Sequence, residues 1–284
     1  MAKKKSILDF YQMKEKGDKI TYITAYDFTT ARLAEKAGLD MLLVGDSLGF
    51  VVYGYDSTVP VTMDQMILHS QAVRRGAPNT FVIGDMPFLS YQKSVEDAVG
   101  NAGRFYKEAG VDAIKLEGGR RVVPQVKAIV DSGMVVMAHI GLTPQSSGQM
   151  GGFKVQANTA ESAMGLLADA EALVEAGVFC VLLEGIPPEA GKLITENVKV
   201  PVVGIGAGPS CDGQVIVTND MLGLYELFTP KFVKKYTNLA EQMVKAFGEY
   251  IADVKSGAFP APEHCYKMKQ GEAEKLAEMP KERA

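Results

Sequence analysis

Eight short β-rich runs, each followed by a loop and a stretch with helical spacing, constrain the fold of this chain more than any other feature. They are ITYITAY (20–26), DMLLVGD (40–46), TFVIGD (80–85), AIKLEG (113–118), MVVMAHI (134–140), FCVLLEG (179–185), PVVGIGAG (201–208) and QVIVT (214–218). Near-continuous apolar runs mark strands covered on both faces, and strand-helix alternation marks a parallel sheet. Eight such units in 284 residues predict an α/β fold, the closed single-domain (β/α)8 TIM barrel. Three segments share one grammar, a helix ending in Ala-Gly and then a strand finishing in an acid: 37–46, 109–118 and 176–185. Glycine there suits a left-handed helix C-cap. The intervening segments carry apolar residues three and four apart, as an outer ring of helices requires. A longer amphipathic run over 231–255 is expected to close the barrel from outside. No Pro/Gly linker divides the chain, so the barrel is assigned residues 1–266 and a Lys/Glu-rich tail residues 267–284, a mobile end or a short surface helix.

Composition narrows the function classes. With Lys plus Arg at 30 and Asp plus Glu at 34, the formal charge of −4 offers no broad basic face for phosphates, which argues against nucleic acid as a partner. The three cysteines, Cys180, Cys211 and Cys265, are scattered and lack CxxC spacing, which argues against a disulfide framework or a zinc site. The opening MAKKKSILDF turns polar without an apolar h-region, and no run is long and apolar enough to span a membrane. A cytoplasmic protein is the expectation.

In such a barrel the chemistry stands at the C-terminal ends of the strands. Those ends are polar here: Asp46-Ser47 after the second strand, Asp85 ending the third, Lys115 and Glu117 in the fourth, His139 in the fifth, Glu184 ending the sixth. With period-two alternation Lys115 and Glu117 share a face pointing inward at the mouth. Asp46, Asp85 and Glu117, without a histidine pair or cysteine cluster, form a hard oxygen-donor set that suits Mg²⁺ better than zinc. Each acid could instead cap a helix or pair with a cation. Lys115, between Ile114 and Leu116, is placed to meet a substrate carboxylate or enolate oxygen; a Schiff-base role is the alternative. Glu184 follows Val181-Leu182-Leu183, apolar neighbours that desolvate a carboxylate and prepare it as a general base; capping the helix that begins near Pro187 is the alternative. His139 could donate to an oxyanion, orient a neighbour, or simply be a satisfied core residue. His69 and His264 read as structural. The GIGAG run (204–208) comes at the seventh strand and lacks the downstream acid of a dinucleotide loop, but its amides could approach a ligand. The polar, glycine-rich stretch 142–156 reads as an active-site cover or an ordinary surface loop.

The ordered motifs AGLDMLLVGDSLGFVVYGYDSTVPVTMDQMILHSQAVRRG, FVIGDMPFLSY, AGVDAIKLEGG, AHIGLTPQS, GGFKVQ, LLEGIP and VVGIGAGPSCDGQ together resemble the ketopantoate hydroxymethyltransferase family, from Ile20 to Tyr266. The resemblance implies a barrel akin to the phosphoenolpyruvate/pyruvate enzymes, a bound Mg²⁺, and a homodecamer. It implies 5,10-methylenetetrahydrofolate as one-carbon donor and 3-methyl-2-oxobutanoate as acceptor, giving 2-dehydropantoate for pantothenate and coenzyme A synthesis. Residue by residue it puts the metal on Asp46, Asp85 and Glu117, the oxo acid on Asp46, Ser47, Asp85 and Lys115, and the base on Glu184. QAN after GGFKV and the longer tail depart from the family pattern. Two other readings compete. A carbon-carbon lyase or mutase of the same superfamily would carry a Lys-Cys-Gly-His loop, absent here, and an inactive metabolite-binding barrel would have a broken acid set.

Overall fold

The computed structural model describes residues 4–279. All eight expected strands form, and each pairs in parallel with its sequence neighbours until β8 closes onto β1. They are β1 (Ile20–Thr24), β2 (Met41–Val44), β3 (Phe81–Asp85), β4 (Ala113–Glu117), β5 (Val136–Gly141), β6 (Cys180–Glu184), β7 (Val202–Ile205) and β8 (Gly213–Ile216). Helices alternate with them: Phe28–Ala37, Met63–Gly76, Val95–Arg104, Val123–Asp131, Ala160–Glu175 and Pro188–Asn197 lie between successive strands. The expected left-handed glycine caps occur at Gly38 (φ 87°) and Gly110 (φ 65°).

Strand alternation sorts the apolar residues into two cores. Leu42, Val44, Val82, Ile114, Leu116, Ala138, Val181 and Leu183 point outward into the layer between sheet and helices. Met41, Leu43, Phe81, Ile83, Met137, Leu182 and Val203 point inward and fill the barrel. The floor of that interior is plugged by Phe10, whose ring meets Phe81 edge-on at 5.2 Å. Phe10 comes from a helix the sequence reading did not identify, Ile7–Lys16, started by a Ser6–Asp9 capping box and stopped by Gly17.

By internal packing the chain divides into two compact units, the second beginning at Thr237. The expected barrel boundary at 266 therefore falls inside the second unit, and the amphipathic run assigned to the barrel belongs mostly to it. That unit holds the helix Leu239–Ser256, a 3-10 turn Pro262–His264 and the helix Glu272–Glu278. The tail 267–284 thus contains a short helix, and its last residues, 280–284, lie outside the described residues.

Candidate active site

The inward positions of β3 to β6 change character one step above the apolar layers. Asp85 lies in register with Lys115, and Glu117 with His139, so lateral pairing sets these side chains next to one another. Lys115 Nζ donates to Asp85 Oδ1 at 2.7 Å and stands 3.8 Å from Glu117 Oε1. His139 bridges two strands, its Nδ1 3.4 Å from Glu117 and its Nε2 3.3 Å from Glu184. Neither contact is a well-aligned hydrogen bond, so the ring is held by charge more than by direction. Asp46, just past β2, donates its N–H to Asp85 Oδ2 at 3.1 Å. Ser47 shares a 2.9 Å hydroxyl contact with Tyr26. The structure thus links the sequence-selected residues at one barrel mouth. It gathers Lys115 and Glu117 on the inward face, as expected.

Burial is deep and uneven. Asp46, Asp85, Lys115, Glu117 and His139 are each at most 4% exposed, whereas the Glu184 side chain is 17% exposed, less enclosed than its apolar neighbours suggested. Burial, then the Asp85 and Glu117 carboxylates, push the Asp46 carboxyl well up, against the pull of Lys115 and Gln145. Burial also raises Asp85, although Lys115 opposes it. Glu117 goes the other way: burial alone would raise it, but His139, Lys115 and the Gln145 N–H together hold it below the usual carboxylate range. For His139, burial and Lys115 push downward, yet Glu117 and Glu184 prevail and lift the imidazole to about 9. Lys115 is pulled down by burial and held firmly protonated by the surrounding carboxylates.

Two further residues organise this layer. Gln145, on the loop after β5, donates through its amide to Asp46 Oδ2 and Met86 O, both at 2.9 Å, and its N–H reaches Glu117 Oε2 at 3.1 Å. The Tyr91 hydroxyl accepts the Glu117 N–H at 3.1 Å and approaches Gln145 Oε1 at 2.8 Å. Both are buried polar groups on strand-end loops, and that placement was the available signal. Gly141 has φ 93°, and a Cβ there would come within 2.4 Å of the Glu184 carbonyl, so only glycine lets β5 and β6 approach beside the acid.

The remaining motifs resolve as follows. His69 contacts the Tyr53 hydroxyl and the Tyr26 carbonyl, and His264 accepts a backbone N–H in the second unit. In GIGAG, Gly206 and Gly208 line the cavity mouth; a Cβ on Gly206 would collide with the Phe232 ring at 2.6 Å. The stretch 142–156 contributes Leu142, Pro144, Phe153, Lys154 and Val155 to the same cavity, whose volume is about 930 Å³.

Four carboxyls face two cations in this layer, so Asp46 and Asp85 suffer like-charge repulsion that a divalent cation relieves. Among the described residues no three His, Cys, Asp or Glu side chains are placed to hold a metal ion together. The set therefore fits a hard ion that takes one or two carboxylates and fills its sphere with water and substrate oxygens, the habit of Mg²⁺. It does not fit a closed structural zinc site.

A family model described as ketopantoate hydroxymethyltransferase matches residues 4–262. The 3-methyl-2-oxobutanoate hydroxymethyltransferase of Alkaliphilus metalliredigens is 59% identical over 97% of this chain and 98% of its own. That of Moorella thermoacetica is 58% identical over 90% and 95%. Among solved structures, a phosphonopyruvate hydrolase in complex with oxalate and Mg²⁺ superposes with a TM-score of 0.60 at 15% identity, covering 95% of this chain and 96% of its own. A 2,3-dimethylmalate lyase of the PEP mutase/isocitrate lyase superfamily gives 0.57 at 19%, covering 94% and 92%. At those identities the structural likeness bears on the barrel alone.

Proposed function

The chain belongs to the ketopantoate hydroxymethyltransferase family and is a hydroxymethyltransferase; from that premise we propose that it moves a one-carbon unit from 5,10-methylenetetrahydrofolate to C3 of 3-methyl-2-oxobutanoate. The products are 2-dehydropantoate and tetrahydrofolate, with one water consumed, as a step towards pantothenate. The observation that carries this reading is the contrast among the four acids. Asp46, Asp85 and Glu117 are each engaged by hydrogen bonds, while Glu184 has His139 as its one ion-pair partner among the described residues and opens onto the cavity.

Glu184 is the base that takes the C3 proton, and His139 beside it holds the carboxylate in place. Lys115, fixed by Asp85, meets the negative charge that develops on the acceptor's oxygen as that proton leaves. Ser47, steadied by Tyr26, supplies a hydroxyl donor for the acceptor carboxylate. Asp46 and Asp85 would hold Mg²⁺ and Glu117 would hold water on it; when bound, the ion would act as a Lewis acid on the 2-oxo group. The enolate electrons then attack the methylene carbon of the donor; both of its C–N bonds to folate break in turn, water supplies the new hydroxyl, and the two freed nitrogens take up the C3 proton and one proton of the water. No helix among the described residues is long and apolar enough to cross a membrane. The family resemblance extends the proposal to a cytoplasmic homodecamer, which sedimentation equilibrium tests.

The decisive experiment follows the C3 proton of 3-methyl-2-oxobutanoate by NMR in deuterium oxide, with Mg²⁺ and then with excess chelator. Metal-dependent loss of the proton signal is expected, and Glu184→Gln slows it by about 10²- to 10⁴-fold. Exchange at the wild-type rate in the variant would remove Glu184 from the role of base, and no exchange in the wild type would remove the enolate reading itself.

A further inference from the structure

One buried acid has no part in that chemistry. Asp220 lies on the short helix Thr218–Met221 just past β8, placed after its strand much as Asp46 is after β2. It is 7% exposed and lines the cavity. Among the described residues its carboxylate has no hydrogen bond or ion pair; Lys235 acts on it only from beyond ion-pair distance. A buried carboxylate without donors is costly, and such a group persists where a ligand supplies them.

The rest of the cavity indicates what that ligand looks like. Its volume of about 930 Å³ far exceeds what a branched five-carbon acid fills, and stands near the top of the roughly 300–1,000 Å³ typical for ligands of drug size. Beyond the polar layer the lining is largely apolar. Phe228 and Phe232 line it and remain 67% and 39% exposed, and Phe50 and Phe153 form an edge contact at 6.2 Å on another stretch of the lining. Lys154 and Lys231 also line the cavity, both exposed and without an ion pair among the described residues.

We propose that Asp220 anchors the heteroaromatic ring of the one-carbon donor. Its two carboxylate oxygens accept the adjacent amino and ring N–H hydrogens of a 2-amino-4-oxopyrimidine edge, while the aromatic lining covers the ring faces. A carboxylate accepts two parallel N–H donors as it accepts an arginine fork, and flat rings pack on the faces of Phe side chains. Lys154 and Lys231 meet the anionic end of the same molecule. This assignment rests on the donor named above.

Calorimetric titration of tetrahydrofolate and its 2-desamino analogue tests it. The wild-type protein is expected to prefer the amino compound by roughly 10- to 100-fold, and Asp220→Asn, whose amide presents one donor where two acceptors are needed, to lose most of that preference. Phe232→Ala, at an exposed position that folding tolerates, weakens both compounds alike and keeps the test open should Asp220→Asn fail to fold. Equal binding of both compounds by a wild-type protein that still exchanges the C3 proton overturns the Asp220 assignment alone, as does an intact preference in Asp220→Asn. A wild-type protein that binds neither compound overturns the donor reading together with it.

Discussion

The floor and the mouth of the barrel interior are built by the same period-two alternation and end in opposite chemistry. At the floor Phe10, Phe81 and Phe179 interlock, with Met41, Ala113 and Met137 around them in one apolar cluster. At the mouth strands β3 to β6 present Asp85, Lys115, Glu117 and His139 as deeply buried as the floor, with Glu184 more open. The floor is stable through contact and transfer from water. The mouth depends on its ion pairs and hydrogen bonds, because a buried charge stripped of its partner costs several kcal/mol. The barrel thus isolates its stability from its chemistry by a single step along each strand.

The sharpest way to break this comparison is to damage each end equally. Lys115→Met leaves Asp85 without its cation and is expected to lower stability by about 3–5 kcal/mol and to abolish turnover. Phe81→Ala opens a cavity at the floor and is expected to cost a similar amount, about 3–5 kcal/mol, while each molecule that remains folded keeps near-normal kcat. Urea unfolding paired with activity per folded molecule reads both. If Phe81→Ala removes activity as completely as Lys115→Met, the two layers are one cooperative unit and the separation argued here is wrong.

Legibility in the sequence follows the same division. The strands were readable because both faces are covered, which leaves long apolar runs, and the mouth residues were readable because strand geometry alone decides where they point. Asp85, Lys115, Glu117, His139 and Glu184 needed no more than the period of two. Gln145, Tyr91 and Asp220 were not singled out, although each follows a strand end, since each stands on a loop or short helix whose path is set by tertiary packing. Gln145 sat in a stretch judged too polar for the interior, yet it is 4% exposed because it satisfies Asp46 and Glu117 at once. The floor helix was missed for a related reason: in Ile7–Lys16 only Phe10 is buried, so its apolar stripe is too narrow to announce itself. The boundary at Thr237 left no composition shift, because the amphipathic pattern runs on across it.

A gentler cut separates the mouth's charges from its scaffold. Tyr91→Phe keeps the ring and deletes the hydroxyl that accepts the Glu117 N–H and reaches Gln145. Leaving a buried N–H unpaired is expected to cost about 1–3 kcal/mol. Because Gln145 then loses its brace, the rate of C3 proton exchange is expected to fall while thermal unfolding shows only that modest loss. An exchange rate that holds steady while stability falls would make Tyr91 a packing residue of the outer rim and nothing more.

The smallest effect separates the mouth's paired acids from the unpaired one. Asp220 has its carboxyl raised to about 6 by burial, opposed by Lys235. For an acid raised in the folded state, ionisation weakens the fold. That cost is absent below the unfolded value near 4, grows as pH rises towards 6, and is constant above. Asp220→Asn carries no such cost, so the variant is expected to gain on the wild type between pH 4 and pH 6.5, by about 1–2 kcal/mol because the group borders an open cavity. Denaturation midpoints of both proteins across that range measure it. A constant offset would mean that Asp220 is solvated or partnered when ionised; a gain that grows with pH would show a carboxylate kept at a cost to the fold, which is how a residue retained for a ligand behaves.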